Sequence, residues 1–221
     1  MMVLGNMSEM MMYSTLRIFT NTGGGSGFVY LKTLSPTLKL PYLITNKHVL
    51  ENVDVCWINF HCADESTLLP NGKNIRYDFT SFDSSNYVAH PNPDIDLCAI
   101  PLLPVFLELN SIGSTPFTTS VTEETLIDQA TLSTLSAIED ITMVGYPIGL
   151  SDEANNFPIM RRGITASHPN IDFNGTPQGV IDIAAFPGSS GSPIFLFNER
   201  GYRTRTGEHF PEGTRLRLLV V

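Results

Sequence analysis

The amino-acid sequence predicts an all-β protein built from many short strands. Fifteen prolines and seventeen glycines interrupt the 221-residue chain, and both residue types are typical of the turns that separate short strands. Hydrophobic residues make up 42% of the chain, which is enough for sizeable cores. The pattern suits a barrel or a sandwich, and two six-stranded barrels of about a hundred residues each fit the length.

The first half of the chain alternates apolar runs with turn residues at the spacing of strands. Residues 53–60 alternate in polarity and are rich in aromatic side chains, which indicates a half-buried strand. Residues 1–15 form a methionine-rich N-terminal extension. A first barrel is expected within residues 16–108, with strands at 16–20, 27–31, 42–45, 53–60, 75–79 and 97–100.

The second half contains a connecting segment followed by a second set of apolar runs. Residues 109–140 are expected to link the two halves through short helices, because Thr122 is followed by two acidic residues that suit a first helical turn. The second barrel is expected within residues 141–221. Its predicted strands are 141–146, 160–167, 180–185, 193–197 and 216–221.

The charge and hydropathy of the chain exclude several classes of partner. The formal net charge is −9, and nucleic-acid binding usually requires a basic surface. No stretch of 18 apolar residues occurs, so no membrane-spanning helix is expected. The histidines His61, His90, His168 and His209 show no spacing typical of a metal site, and we expect neither a metal nor another cofactor.

The cysteines indicate a reducing compartment. Cys56, Cys62 and Cys98 allow at most one disulfide bond, and Cys98 lies in a predicted buried strand, where a free thiol behaves as a small hydrophobe. The first twelve residues lack the basic and sustained apolar regions of a secretory signal. These features predict a cytoplasmic protein.

A glycine-flanked serine is the strongest functional signal in the chain. Residues 186–193 read FPGSSGSP and lie between two apolar segments. A tight turn there would leave the Ser190 hydroxyl uncovered, and it could direct the backbone N–H groups of Gly188 and Ser190 at a developing oxyanion. Serine is a weak nucleophile by itself, so the hypothesis requires a base and an acid elsewhere in the chain.

Candidates for both groups occur earlier in the sequence. His48 follows an apolar run that ends near residue 45, and Asp94 and Asp96 precede the apolar run 97–100. Each of these residues alone is more often a turn, cap or surface residue. Their order, His-Asp-Ser, is one of the three known chain orders of the catalytic triad.

Five short blocks resemble the trypsin-like serine peptidase superfamily, particularly its bacterial HtrA-like branch. GSGF at 25–28 resembles the G-x-G-F entry strand, and TNKHV at 45–49 resembles the T-x-x-H-V histidine block. DLCAI at 96–100 resembles D-[IL]-A-V-I, and VGYPIG at 144–149 resembles the G-x-P-x-G step of the second barrel. GSSGSP at 188–193 resembles the G-N-S-G-G-P nucleophile turn.

The resemblance implies two six-stranded antiparallel barrels of the chymotrypsin type and a serine endopeptidase that acts on protein or peptide substrates. His48 would be the base, Asp96 the acid and Ser190 the nucleophile, with Gly188 and Ser190 as oxyanion donors. Asp96 is favoured over Asp94 because the small Cys98 then falls where the family places alanine. No PDZ-like module is expected within the chain.

The resemblance also predicts the substrate preference. The residue six positions before the nucleophile forms the base of the pocket for the side chain preceding the cut, and this position is Ala184, beside Ala185. Two alanines offer no charge to a lysine or arginine. The resemblance therefore implies cleavage after apolar residues.

Three departures from the family pattern carry expectations of their own. Ser189 stands where digestive enzymes have an aspartate that pairs with a newly cut N-terminus, so no such activation is expected, and a chain trimmed to about residue 15 should remain active. Only five strands are predicted for the second barrel, which suggests truncation at its C-terminal end, with further domains beyond Val221, or closure in another way. This truncation and Ser192, which replaces a glycine, keep open a non-catalytic peptide-binding or sensor module on the same fold.

Overall fold

The computed structural model describes residues 6–148, 150 and 152–220, and its first half is an eight-stranded antiparallel sheet. The strands run in the order β5-β4-β1-β2-β3-β7-β6, and β8 pairs with β4. They are β1 (Thr15–Thr20), β2 (Gly23–Ser35), β3 (Leu38–Thr45), β4 (Cys56–Ala63), β5 (Pro70–Phe79), β6 (Val88–Ala89), β7 (Cys98–Pro101) and β8 (Pro116–Phe117).

The alternation of side chains explains how these strands bury one face. In β1, Leu16 and Ile18 are fully buried, whereas Arg17 and Phe19 on the other face are only partly covered. Each such buried aliphatic side chain contributes about 1.5–3 kcal/mol to the free energy of unfolding. The same core holds Leu43 of β3 and Ile100 of β7, so it lies directly beneath the strands that lead to the site described below.

The second half is a five-stranded antiparallel sheet with a small hairpin beside it. The sheet order is β11-β10-β9-β12-β15, and β13 pairs with β14. The strands are β9 (Asp140–Gly145), β10 (Ile159–Thr165), β11 (Ile181–Asp182), β12 (Ile194–Asn198), β13 (Tyr202–Arg203), β14 (His209–Phe210) and β15 (Arg215–Val220). The prediction of an all-β fold is confirmed.

One short helix precedes β1, and others lie between the strands. They are α1 (Met7–Ser14), α2 (Lys47–Leu50), α3 (Leu103–Ser111) and α4 (Gln129–Thr134), together with a 3₁₀ turn at Glu123–Thr125. Thr122 precedes this turn and forms a reciprocal capping pair with Thr125. The described part of the chain has no helix long and apolar enough to cross a lipid bilayer.

Helix α1 packs against a core that both sheets share. Met11 is fully buried there against Phe28 of β2, Val144 of β9 and Phe195 of β12. The Thr119 hydroxyl donates to the carbonyl of Met10 at 2.6 Å. The residues expected to form an N-terminal extension thus supply part of the packing between the two sheets.

Some strand limits differ from the sequence prediction for a physical reason. The sequence predicts a full strand over residues 180–185, but the strand that pairs with β10 is only Ile181–Asp182. The Val180 carbonyl accepts from two successive N–H groups, those of Ala166 and Ser167, so the regular ladder ends there. Two-residue strands such as β6 and β8 had no sequence signal, because their existence depends on a partner strand distant in the chain and little on local propensity.

Candidate active site

Strand pairing brings His48 and Asp96 together. Thr45, the last residue of β3, pairs with Cys98, the first residue of β7. His48 follows β3 in helix α2, and Asp96 precedes β7, so the register places both residues at the same end of the two strands. The backbone N–H of His48 donates to Asp96 Oδ1 at 3.1 Å, and His48 Nδ1 lies 2.5 Å from Asp96 Oδ2.

This double contact orients the imidazole. An ionised carboxylate only accepts hydrogen bonds, so the contact favours the tautomer with its proton on Nδ1 and leaves Nε2 of His48 with a free lone pair. The two side chains are 54% and 48% exposed, so the ring is open to a ligand. Asp94 makes no hydrogen bond to His48 among the described residues; its own N–H binds the side chain of Asn92.

Asn46 links this pair to the second sheet. Its Nδ2 donates to the Asp96 carbonyl at 2.8 Å, and its Oδ1 accepts from the N–H of Gly191 at 2.6 Å. The Asn46 side chain therefore sets the distance between Asp96, which contacts His48, and Gly191, which follows Ser190.

The turn around Ser190, residues 186–191, will be called the nucleophile loop, and two of its positions require glycine. Gly188 has φ +87° and Gly191 has φ +79°, values that residues with a Cβ rarely adopt. A Cβ on Gly188 would lie 2.6 Å from the Tyr146 carbonyl oxygen, and one on Gly191 would overlap the carbonyl of Ser26. The glycines thus permit both the turn and its close contact with the neighbouring backbone.

Hydrogen bonds fix the two peptide planes that precede the expected oxyanion donors. The Pro187 carbonyl accepts from the N–H of Ile148 at 2.7 Å, and the Ser189 carbonyl accepts from the N–H of Ser192 at 3.0 Å. In a trans peptide the N–H points opposite to the C=O, so the directions of the N–H groups of Gly188 and Ser190 are fixed as well. Neither N–H donates to an acceptor within the described residues.

Ser26 of β2 attaches the nucleophile loop to the first sheet. Its N–H donates to the Ser190 carbonyl at 2.8 Å, and its hydroxyl donates to the Gly188 carbonyl at 2.9 Å. The same hydroxyl accepts from the N–H of Tyr146 at 2.8 Å. The carbonyl of Ser26 in turn accepts from the Thr45 hydroxyl at 2.7 Å, three residues before His48.

Ser190 itself is half-buried and lines a cavity. The cavity has a volume of about 350 Å³ and is lined by Ala185, Met143, Ile181 and Ile194 among others. Ala184 is not among the lining residues; its carbonyl accepts a hydrogen bond from Arg161. The hydrogen bonds of His48 among the described residues run to Asp96 and not to the Ser190 hydroxyl, and a contact between base and nucleophile is often formed only once substrate is bound.

The remaining ionisable groups near the site do not suggest metal or thiol chemistry. Burial raises the pKa of the Cys98 thiol to about 12, and the nearby Asp96 carboxylate adds to this effect. The thiol therefore stays protonated and unreactive. Within residues 6–148, 150 and 152–220, no group of three or more His, Cys, Asp or Glu side chains could hold a metal ion.

Three polar residues of this site were not singled out from the sequence. Asn46 and Ser26 lie inside blocks that resemble the family, but their side-chain roles depend on contacts across the two sheets. Arg161 lies in no such block. They are identified only in the structure, where each side chain forms a hydrogen bond with the nucleophile loop.

The two antiparallel sheets and the polar site between them define a serine-type peptidase of the trypsin-like class. The family model described as "Trypsin-like peptidase domain" matches residues 25–202, and the chain belongs to this family. The predicted family is confirmed. No curated protein matches the chain.

Solved structures of proteases resemble this fold at low sequence identity. The inactive form of the Rv3671c protease, from M. tuberculosis, is 17% identical with a TM-score of 0.41; the match covers 93% of this chain and 83% of that one. The MamO protease domain from Magnetospirillum magneticum is 12% identical with a TM-score of 0.44, and the match covers 92% of each chain. The HtrA-type protease AlgW with a tripeptide is 15% identical with a TM-score of 0.46, over 93% of this chain and 56% of that one.

Proposed function

We propose that this peptidase is an endopeptidase that cleaves protein or peptide substrates through Ser190, His48 and Asp96. The Ser190 oxygen forms a bond to the scissile carbonyl carbon while His48 Nε2 takes the hydroxyl proton. His48 then gives that proton to the leaving amine as the C–N bond breaks, and water hydrolyses the acyl-enzyme by the same steps. The double hydrogen bond between His48 and Asp96 carries this proposal, since it leaves Nε2 free to act as the base.

The nucleophile loop supplies the oxyanion site in this mechanism. Negative charge develops on the carbonyl oxygen when Ser190 attacks, and preorganised N–H donors stabilise that charge. The N–H groups of Gly188 and Ser190 suit this role because the carbonyl on the opposite side of each peptide plane accepts a hydrogen bond, which fixes the plane. Neither N–H group donates to another acceptor among the described residues. They would donate without first breaking another hydrogen bond.

We further propose that the cavity beside Ser190 binds an apolar side chain preceding the cut. Ala185, Met143, Ile181 and Ile194 present apolar surface, and none of the described residues that line the cavity is acidic. A lysine or arginine bound there would lose hydration without gaining an ion pair. Burying an apolar side chain instead is favourable by about 1.5–3 kcal/mol.

The three free thiols support action in a reducing compartment. Cys56, Cys62 and Cys98 form no disulfide with one another, and structural disulfides are typical of proteins in oxidising compartments. The cytoplasm is therefore the proposed location. Labelling of all three thiols in denatured protein taken directly from cells tests this point, and an intermolecular disulfide would contradict it.

A fluorophosphonate probe tests the catalytic proposal, because it reacts only with an activated serine. The wild-type protein should be labelled at Ser190, and both Ser190→Ala and His48→Ala should abolish labelling. Ser84→Ala is the matched control, since Ser84 lies exposed in a turn outside the site and should leave labelling unchanged. Labelling that survives in Ser190→Ala would contradict the assignment of the nucleophile.

The alternative function is a non-catalytic peptide-binding module on the same fold. The Ser190 hydroxyl is not hydrogen-bonded to His48, and this arrangement is shared by resting peptidases and by sites that retain the fold without turnover. In that case the wild-type protein would resist the probe and would still bind peptides with apolar side chains. Labelling of the wild type excludes this alternative.

Cleavage of a mixed peptide library tests the proposed preference. The wild type should cut after Leu, Met or Phe and little after Lys or Arg. Ala185→Asp should place a carboxylate in the cavity and move cleavage towards Lys and Arg. Dominant cleavage after basic residues by the wild type would contradict the apolar assignment.

A further inference from the structure

Arg161 connects β10 to the nucleophile loop and to the residue two positions before it. Its Nη1 donates to the Ala184 carbonyl at 2.6 Å, and its Nη2 donates to the Ser189 hydroxyl at 2.9 Å. Ala184 lies two residues before the loop, and Ser189 immediately precedes Ser190. A single planar guanidinium therefore spans residues 184–189, a segment that includes Gly188 and ends one residue before Ser190.

Ser189 receives this contact in a nearly buried position. It is 9% exposed, and its hydroxyl oxygen also accepts from the N–H of Phe186 at 3.2 Å. Two donors thus converge on one hydroxyl oxygen, one from the loop itself and one from β10. Because the N–H of Ser190 belongs to the peptide plane that begins at Ser189, fixing Ser189 also fixes the direction of that N–H.

The environment of Arg161 is unusual for a cation. The Nε atom is buried and has no hydrogen-bond partner within the described residues. None of the ion pairs found among those residues involves the guanidinium of Arg161. Burial lowers the pKa of Arg161 accordingly. A partly buried cation without a counter-ion is costly. The two hydrogen bonds to Ala184 and Ser189 compensate, together with the Phe186 ring, whose centroid lies 5.8 Å from the guanidinium carbon.

We propose that Arg161 is a positioning residue that holds the nucleophile loop in its reactive conformation. In the digestive enzymes that the chain resembles, an aspartate beside the nucleophile pairs with a newly cut N-terminus. Here a guanidinium from within the chain contacts the residue at that position, Ser189. The loop contains two glycines with positive φ and so depends on external contacts for its shape.

The geometry of arginine suits this task better than that of lysine. The guanidinium presents several donors in a rigid plane, whereas an ammonium is a single point of contact on a flexible stem. Only the planar group can donate to a backbone carbonyl and to a hydroxyl at the same time and so fix their positions relative to each other. The regular pairing of β10 with β9, Arg161 opposite Met143, holds the base of the side chain.

The first test compares Arg161→Met with Arg162→Met. Arg162 is the next residue on β10, its side chain is 78% exposed, and it lies 4.0 Å from Asp140. The rate constant for fluorophosphonate labelling should fall by on the order of 10²-fold in Arg161→Met, since a small misplacement of reacting groups has that effect. It should not change in Arg162→Met. Millimolar methylguanidinium should restore part of the rate in Arg161→Met only.

Amide hydrogen exchange tests the same idea without relying on catalysis, although the inference rests on the proposed role of Ser190. In the wild type, the N–H groups of Ser189, Gly191 and Ser192 donate to acceptors and should exchange slowly. Arg161→Met should accelerate exchange in peptides covering 186–192 and leave those of β1 unchanged. If the probe labels neither the wild type nor any variant, but Arg161→Met still exchanges faster than the wild type in the loop, the catalytic proposal is refuted. The role of Arg161 in positioning the loop is then retained.

Ser189→Ala provides a second variant that removes little volume. It should lower the labelling rate less than Arg161→Met, and the double variant should resemble Arg161→Met alone because both changes remove the same contact. The positioning role of Arg161 is refuted if Ser189→Ala and Arg161→Met are both labelled and both exchange like the wild type. It is also refuted if the fall in labelling rate of the double variant equals the product of the two single effects.

Discussion

Ser26 and Gly188 are joined by a buried hydrogen bond that connects the two sheets at the candidate active site. The Ser26 hydroxyl donates to the Gly188 carbonyl at 2.9 Å and accepts from the N–H of Tyr146 at 2.8 Å. Ser26 is fully buried, so water cannot replace these contacts. The nucleophile loop is thereby held by the first sheet, which also carries His48 and Asp96.

Ser26→Ala should therefore lower both stability and reactivity. Loss of the hydroxyl leaves the Gly188 carbonyl and the Tyr146 N–H without this buried partner, which should reduce the free energy of unfolding by about 1–3 kcal/mol. Urea unfolding measures the first effect, and the fluorophosphonate labelling rate should fall as well. Ser133→Ala is the control, because its exposed hydroxyl also binds a carbonyl, that of Ala130. Equal stability of the two variants would contradict the role of Ser26.

Replacement of the two candidate acids should separate them. In Asp96→Asn the amide can no longer accept from both the backbone N–H and Nδ1 of His48, so the imidazole takes the wrong tautomer. We expect kcat to fall by on the order of 10⁴. Asp94→Asn should change kcat little, because Asp94 does not contact His48. Full activity of Asp96→Asn together with loss in Asp94→Asn would reverse the assignment.

His61 should make stability depend on pH. It is 5% exposed, its Nε2 has no partner in the described residues, and its ring packs against Tyr13 and Phe157. Burial lowers the pKa of His61, partly opposed by a hydrogen bond with the Asn156 backbone. Below the ordinary histidine pKa of about 6.5, the unfolded chain then binds more protons than the folded one.

The free energy of unfolding should therefore fall as the pH drops below about 6.5, by at most about 1.4 kcal/mol per pH unit from this group. Urea unfolding at pH 7.5 and 5.5 measures the change. His61→Phe should reduce it, whereas His209→Asn, on the exposed hairpin, should retain it. An unchanged pH dependence in His61→Phe would show that His61 is not the group responsible.

The N-terminal helix should be needed for stability. The sequence alone suggests that a chain trimmed to about residue 15 stays active, but Met11 is fully buried in the core between the sheets. Met11→Ala should lower the free energy of unfolding by about 2–5 kcal/mol. Met12→Ala, at a half-buried position, should have a smaller effect. Deletion of residues 1–14 without any fall in Tm would contradict this view.

The amino-acid sequence by itself determined the fold class and the chemical types at the site. Period-two alternation in β1 and turn residues between short apolar runs are local features, so they predict strands without knowledge of their partners. The glycines at 188 and 191, on either side of two serines, likewise reflect a local backbone requirement. His48, Asp96 and Ser190 were recognisable because their blocks occur in a known order.

Only the tertiary structure decided how these parts are joined. Asp96 rather than Asp94 contacts His48 because the β3–β7 register brings it there, and Asn46, Ser26 and Arg161 act through contacts with residues far away in the chain. A buried polar side chain forms its hydrogen bonds with whichever groups the packing brings close to it. In these three cases those groups are distant in the sequence. The burial of Met11 follows from the same cause, since the surface that covers it exists only after both sheets have formed.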